Sequence, residues 1–138
     1  MNEKIKEILS DMSFMPEWLD RYNYIIELSD ELSLMPDELK TPENLISGCQ
    51  SRVWITAQKN ENGTMHFSGA SDAIIVSGLL SLLFAAVEGM TPEQIEAESF
   101  SYLDELSLNE NLSTTRSNGV ASMKQRIKTL ANTLSNTL

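Results

Sequence analysis

The chain has 138 residues, 41% of them hydrophobic and 22% charged, which is the make-up of one globular domain spanning 1–138 with a sizeable core. Its formal net charge of -10, with the Lys and Arg dispersed, repels phosphate backbones and anionic lipid and argues against nucleic acid or membrane partners. The lone cysteine allows no internal disulfide, the start MNEKIKEILSDM lacks a signal peptide's apolar core, and the apolar run 73–87 is short of the roughly 20 residues of a membrane span, so a cytoplasmic protein is expected.

Ile5, Ile8, Leu9 and Met12 share one face of a first helix. A second opens with Pro16 at an early position and carries Trp18, Tyr22, Ile25, Leu28 and Leu32 as its apolar stripe. Pro36 and Pro42 then hold an irregular polar segment that leads to Ile46-Ser47-Gly48-Cys49. Beyond it the period changes to two: Val53, Ile55 and Ala57 alternate with Arg52, Trp54, Thr56 and Gln58, Asn60-Glu61-Asn62-Gly63 is a tight-turn signal, and Met65 and Phe67 continue on a second strand. Ser71 and Asp72 offer N-cap oxygens to a nearly all-apolar helix that runs to Glu88 and stops at Gly89, and this is the expected buried central helix.

Thr91-Pro92-Glu93-Gln94 spells a capping box for a short helix. A brief third strand is expected at 97–100, then a short helix carrying Tyr102, Leu103 and Leu106. Val120, Met123, Ile127, Leu130 and Leu134 mark an amphipathic C-terminal helix beginning near Arg116-Ser117-Asn118-Gly119. The order predicts an α+β fold in which a small, mostly antiparallel three-stranded sheet packs against helices.

The residues alone leave two readings of Cys49 open. A lone cysteine is commonly a small buried hydrophobe. This one follows Gly48 in a loop before a strand, among Ser47, Gln50, Ser51 and Arg52, and a cation beside an accessible thiol stabilises the thiolate. His66 alternates on a strand and reads as a sheet residue rather than a base. Trp54 reads either as core or as the floor of a pocket around Cys49. One Cys and one His do not make a closed tetrahedral zinc site.

Four stretches together resemble the SufE family, the sulfur-acceptor proteins of iron–sulfur cluster assembly. Gly48-Cys49-Gln50-Ser51-Arg52-Val53-Trp54 is similar to its G-C-Q-S-x-V-W signature at every fixed position. Ser71-Asp72-Ala73-Ile74-Ile75-Val76-Ser77-Gly78-Leu79 resembles its S-D-A-x-I-V-x-G-L, with Ser77 in place of a frequent Lys. The run from Leu112 to Gly119 resembles its L-x-P-S-R-x-x-G, with Thr114 in place of Pro, and Tyr24-Ile25-Ile26-Glu27-Leu28 resembles its second helix.

The resemblance implies a SufE/IscU-like fold and a persulfide relay. Cys49 takes sulfur from a SufS-like cysteine desulfurase, stimulates that enzyme, and passes the sulfur to an iron–sulfur assembly scaffold complex. No cofactor is expected on this chain, since the pyridoxal phosphate belongs to the desulfurase. Arg116 is expected to stabilise charge on sulfur or to contact the partner, against the plainer reading of a solvated arginine at a helix start. Gly48, Gln50, Ser51, Arg52 and Asp72 are the expected loop and partner contacts, with N-capping as the plainer reading of Asp72. The chain is expected to act as a monomer or homodimer. Two rival functions follow from the same residues: an iron–sulfur or zinc-binding scaffold of related fold, which needs about three cysteines, and a thiol hydrolase pairing Cys49 with His66.

Overall fold

A computed structural model describes residues 2–32, 34–47 and 50–136, apart from the side chain of Asn109. Gly48 and Cys49 therefore lie outside the described residues, and the loop is defined here by what flanks them. Helix α1 (Glu3–Ser13) starts at an Asn2 cap whose side chain accepts from the Ile5 N–H, and it buries Ile5, Ile8 and Met12. Helix α2 (Trp18–Leu28) begins after Pro16, with Glu17 in extended conformation as its N-cap. Pro16 thus precedes the helix instead of opening it. Leu32 also falls outside α2, because the chain tightens into a 3-10 turn at Ser29–Glu31.

Strands β1 (Val53–Lys59) and β2 (Met65–Ser71) form the expected antiparallel hairpin, in register from Val53↔Ser71 to Lys59↔Met65. Helix α3 (Ile74–Val87) is buried nearly all round, although Ile74 at its start is 60% exposed. Its Gly78 lies against α2 so closely that a Cβ there would overlap the Ile25 carbonyl. Helix α4 (Pro92–Ala97) carries the full capping box between Thr91 and Gln94. A 3-10 segment (Ser101–Leu106), the single turn α5 (Leu108–Asn111) and the long helix α6 (Thr114–Ser135) complete the chain. Helix α6 starts earlier than the sequence suggests, because Ser113 caps it by accepting from the Arg116 N–H.

The α+β class is observed, but among the described residues the sheet has two strands, not three. The expected third strand at 97–100 does not form. Ala97 ends α4, the Glu98 carboxylate accepts from the Phe100 N–H, and Phe100 adopts φ +58, a left-handed conformation that no strand sustains. A single bridge pairs Leu45 with Trp54 on the far edge of β1, so the extra pairing comes from the segment that enters the cysteine loop. Buried side chains from α1, α2, both strands, α3, α4 and α6 join in one hydrophobic cluster, with α3 at its centre.

Candidate functional site

The cysteine loop is framed by two feet. On the entry side the Ile46 N–H donates to the Val53 carbonyl at 2.8 Å, and the Ile55 N–H donates to the Asn44 carbonyl at 3.0 Å. Ile46 and Val53 are both buried, so the feet are anchored in the core while residues 47–52 connect them. On the exit side Arg52 and Asp72 extend the hairpin by one more pair. The Asp72 N–H donates to the Arg52 carbonyl at 3.3 Å, and the Asp72 carboxylate accepts from the Arg52 N–H at 3.1 Å and from its Nε at 3.2 Å.

That geometry corrects the reading of Asp72 as a helix cap. The N-cap of α3 is Ala73, which has no side chain to cap with, and the neighbouring Ser71 Oγ accepts from the Ala73 N–H at 3.2 Å. The Arg52 guanidinium lies 5.3 Å from the centre of the Trp54 ring, and the Lys40 ammonium lies 5.9 Å from it. Trp54 is buried and carries two cations at its face. Its place is that of a platform for the loop's exit.

Gln50 and Ser51 line a small cavity with Val76 and Leu79 of α3 and with Arg116 and Met123 of α6. Its volume is about 30 Å³, and its lining mixes apolar and polar side chains. Arg116 is the third residue of α6, where a cation faces the positive end of the helix macrodipole. That placement is unfavourable for a helix on its own. It gathers positive charge at the cavity that Gln50 and Ser51 line. The Arg116 Nη1 also lies 3.5 Å from the Tyr22 hydroxyl oxygen, which ties α6 to α2.

The structure thus brings Gln50, Ser51 and Arg116 to one cavity, with Arg52 and Asp72 at the adjoining foot. It does not bring His66 there. His66 is exposed, pairs with Gln58 near the hairpin turn and lines a different cavity of about 90 Å³. It lies five positions along β2 from Ser71 at the foot, roughly 17 Å at strand rise. Among the described residues no group of His, Cys, Asp and Glu is arranged to hold a metal ion. No helix among them is long and apolar enough to cross a membrane.

The family model described as SufE: Fe-S metabolism associated domain matches residues 6–131. The chain belongs to the SufE family. An uncharacterized SufE-like protein of Rhizobium etli is 41% identical over 128 residues, covering 90% of this chain and 86% of the relative. The sulfur acceptor protein CsdE of Escherichia coli is 42% identical over 114 residues, covering 82% and 78%. A solution structure of a hypothetical protein from Thermus thermophilus shares the fold, with a TM-score of 0.75 at 20% identity over 94% of each chain.

With the SufE framework in place, one contact stands out that the sequence did not flag. Arg126, midway along α6, donates from Nη2 to the Leu45 carbonyl at 3.0 Å and from Nη1 to the Glu43 carbonyl at 3.4 Å. No spacing signal marks it, because its partners lie 81 and 83 residues away.

Proposed function

We propose that this SufE-family chain is a sulfur acceptor, and that Cys49 takes persulfide sulfur from a cysteine desulfurase and relays it to iron–sulfur cluster assembly. The observation that supports the reading is the sequence position of the lone cysteine, between residues that form the two anchored feet and next to Gln50, which lines the Arg116 cavity. The likeness to a sulfur acceptor protein supports it.

The transfer balances as a thiol exchange. The Cys49 thiolate attacks the outer sulfur of the desulfurase persulfide, a new S–S bond forms on Cys49, and the S–S bond on the desulfurase breaks. The electron pair of that bond leaves with the desulfurase cysteine as thiolate. One persulfide is exchanged for another, so no external oxidant or reductant is required. The rate then depends on the thiolate fraction of Cys49 and on access to the loop.

Stimulation of the desulfurase follows from the same exchange, since removing its persulfide frees the enzyme for another turnover. Pyridoxal phosphate stays with the desulfurase, and this chain carries no cofactor of its own. The scaffold alternative would require ligands that the sequence, with one cysteine and one histidine, does not supply. The test is to incubate the chain with a recombinant bacterial cysteine desulfurase and cysteine. The reading requires cysteine turnover to rise in the presence of the wild-type chain and not in the presence of Cys49→Ser, and equal stimulation by both would refute it.

A further inference from the structure

The segment that enters the cysteine loop has only one strand beside it. The Asn44 carbonyl accepts from the Ile55 N–H and the Ile46 N–H donates to the Val53 carbonyl, both on β1, while the Asn44 and Leu45 N–H groups donate back to the Thr41 and Pro42 carbonyls in a turn. The Glu43 and Leu45 carbonyls lie in and at the end of the turn that leads into this bridge, on the side that α6 covers. No strand is there among the described residues. Both carbonyls are met by the guanidinium of Arg126, at 3.4 and 3.0 Å. Its neighbours Met123 and Ile127 are fully buried, so the helix that presents Arg126 is fixed against the core.

We infer that Arg126 is a positioning residue for sulfur transfer: by closing the outer edge of the loop's entry segment, it fixes the root from which Cys49 is presented to the desulfurase. The inference rests on the sulfur-acceptor reading. A fork of two N–H donors suits the task, because one rigid group spans two carbonyls two residues apart. Without the fork, the entry segment keeps its β1 bonds and the turn bonds to Thr41 and Pro42 but loses its tie to α6, and its register frays. Cys49 is then presented in a wider spread of positions, and transfer within the docked complex slows while docking through other surfaces persists.

The experiment compares wild type with Arg126→Met, which keeps the aliphatic stem and removes the donors, and with Arg126→Lys, which restores a single donor group. Persulfide loading of Cys49 is followed by intact mass at saturating recombinant bacterial cysteine desulfurase with cysteine, well below the melting temperature. Hydrogen exchange is measured at the Ile46 and Ile55 amides. The expected result is loading slowed about 10-fold in Arg126→Met at saturation. The concentration of desulfurase giving half-maximal rate should change little, Arg126→Lys should fall between, and exchange should accelerate at Ile46 and Ile55 but not in the middle of the hairpin. A merely structural role would lower the melting temperature and leave the saturated rate alone. Wild-type loading with an undiminished saturated rate in Arg126→Met overturns the role of Arg126. Absence of loading on the wild type overturns the sulfur-acceptor reading itself and this inference with it.

Discussion

Asp72 holds both the backbone and the side chain of Arg52, and so it fastens the exit of the cysteine loop to the start of α3. The Arg52 and Asp72 side chains are 68% and 45% exposed, and ion pairs in that setting contribute at most about 1 kcal/mol to stability. Asp72→Ala is therefore expected to cost no more than that in urea unfolding. Its larger effect is expected on the loop: Cys49 in the variant should react with iodoacetamide several-fold faster than in wild type, and an unchanged rate would show that the Arg52 pair does not restrain it. Arg116 makes a different prediction. Its contact with Tyr22 is long, so Arg116→Ala should fold normally. Loss of its charge should raise the pH at which Cys49 becomes reactive, read as a shift in the pH profile of alkylation. From sequence, the family motifs around Cys49 and Arg116 were legible because they are local. The ties of Arg52 to Asp72 and of Arg126 to the loop's root were not, since each spans 20 residues or more and leaves no periodic trace.

The elements that sequence identified best are those whose signal is contained within them. The Thr91–Gln94 capping box, the hairpin turn at Gly63 and the apolar α3 are of this kind. The third strand at 97–100 does not form because the short-range bond from the Phe100 N–H to the Glu98 carboxylate closes a turn there instead. Gly78 shows how part of a family motif serves packing. It stands at the crossing of α2 and α3, where a Cβ would overlap the Ile25 carbonyl, so backbone rather than a side chain would have to move. Gly78→Ala is expected to lower unfolding stability by about 1–3 kcal/mol, despite the helix propensity of alanine, as measured by urea denaturation. A neutral or stabilising outcome would mean that the two helices are free to separate.

At the scale of the whole molecule, the core gathers around α3 while the cysteine loop sits at one end of the hairpin, held from α3 and α6. Burial chiefly, and the nearby Glu98 carboxylate, push the Tyr102 phenol up to about 12 from its ordinary 10.0. Folding favours the protonated phenol, so this contribution is complete below about pH 10 and is lost as pH rises toward 12. Tyr102→Phe should flatten the alkaline limb of a urea-midpoint profile between those values, and a limb that falls as steeply as in wild type would assign it to other groups.

The central claim, that Cys49 accepts sulfur, is tested most directly by the intact mass of the chain after incubation with a cysteine desulfurase and cysteine. The account predicts that the wild-type mass rises by one sulfur atom or more and returns on reduction, while Cys49→Ser gains nothing. Sulfur retained on Cys49→Ser, or a wild-type chain that gains none, would contradict it.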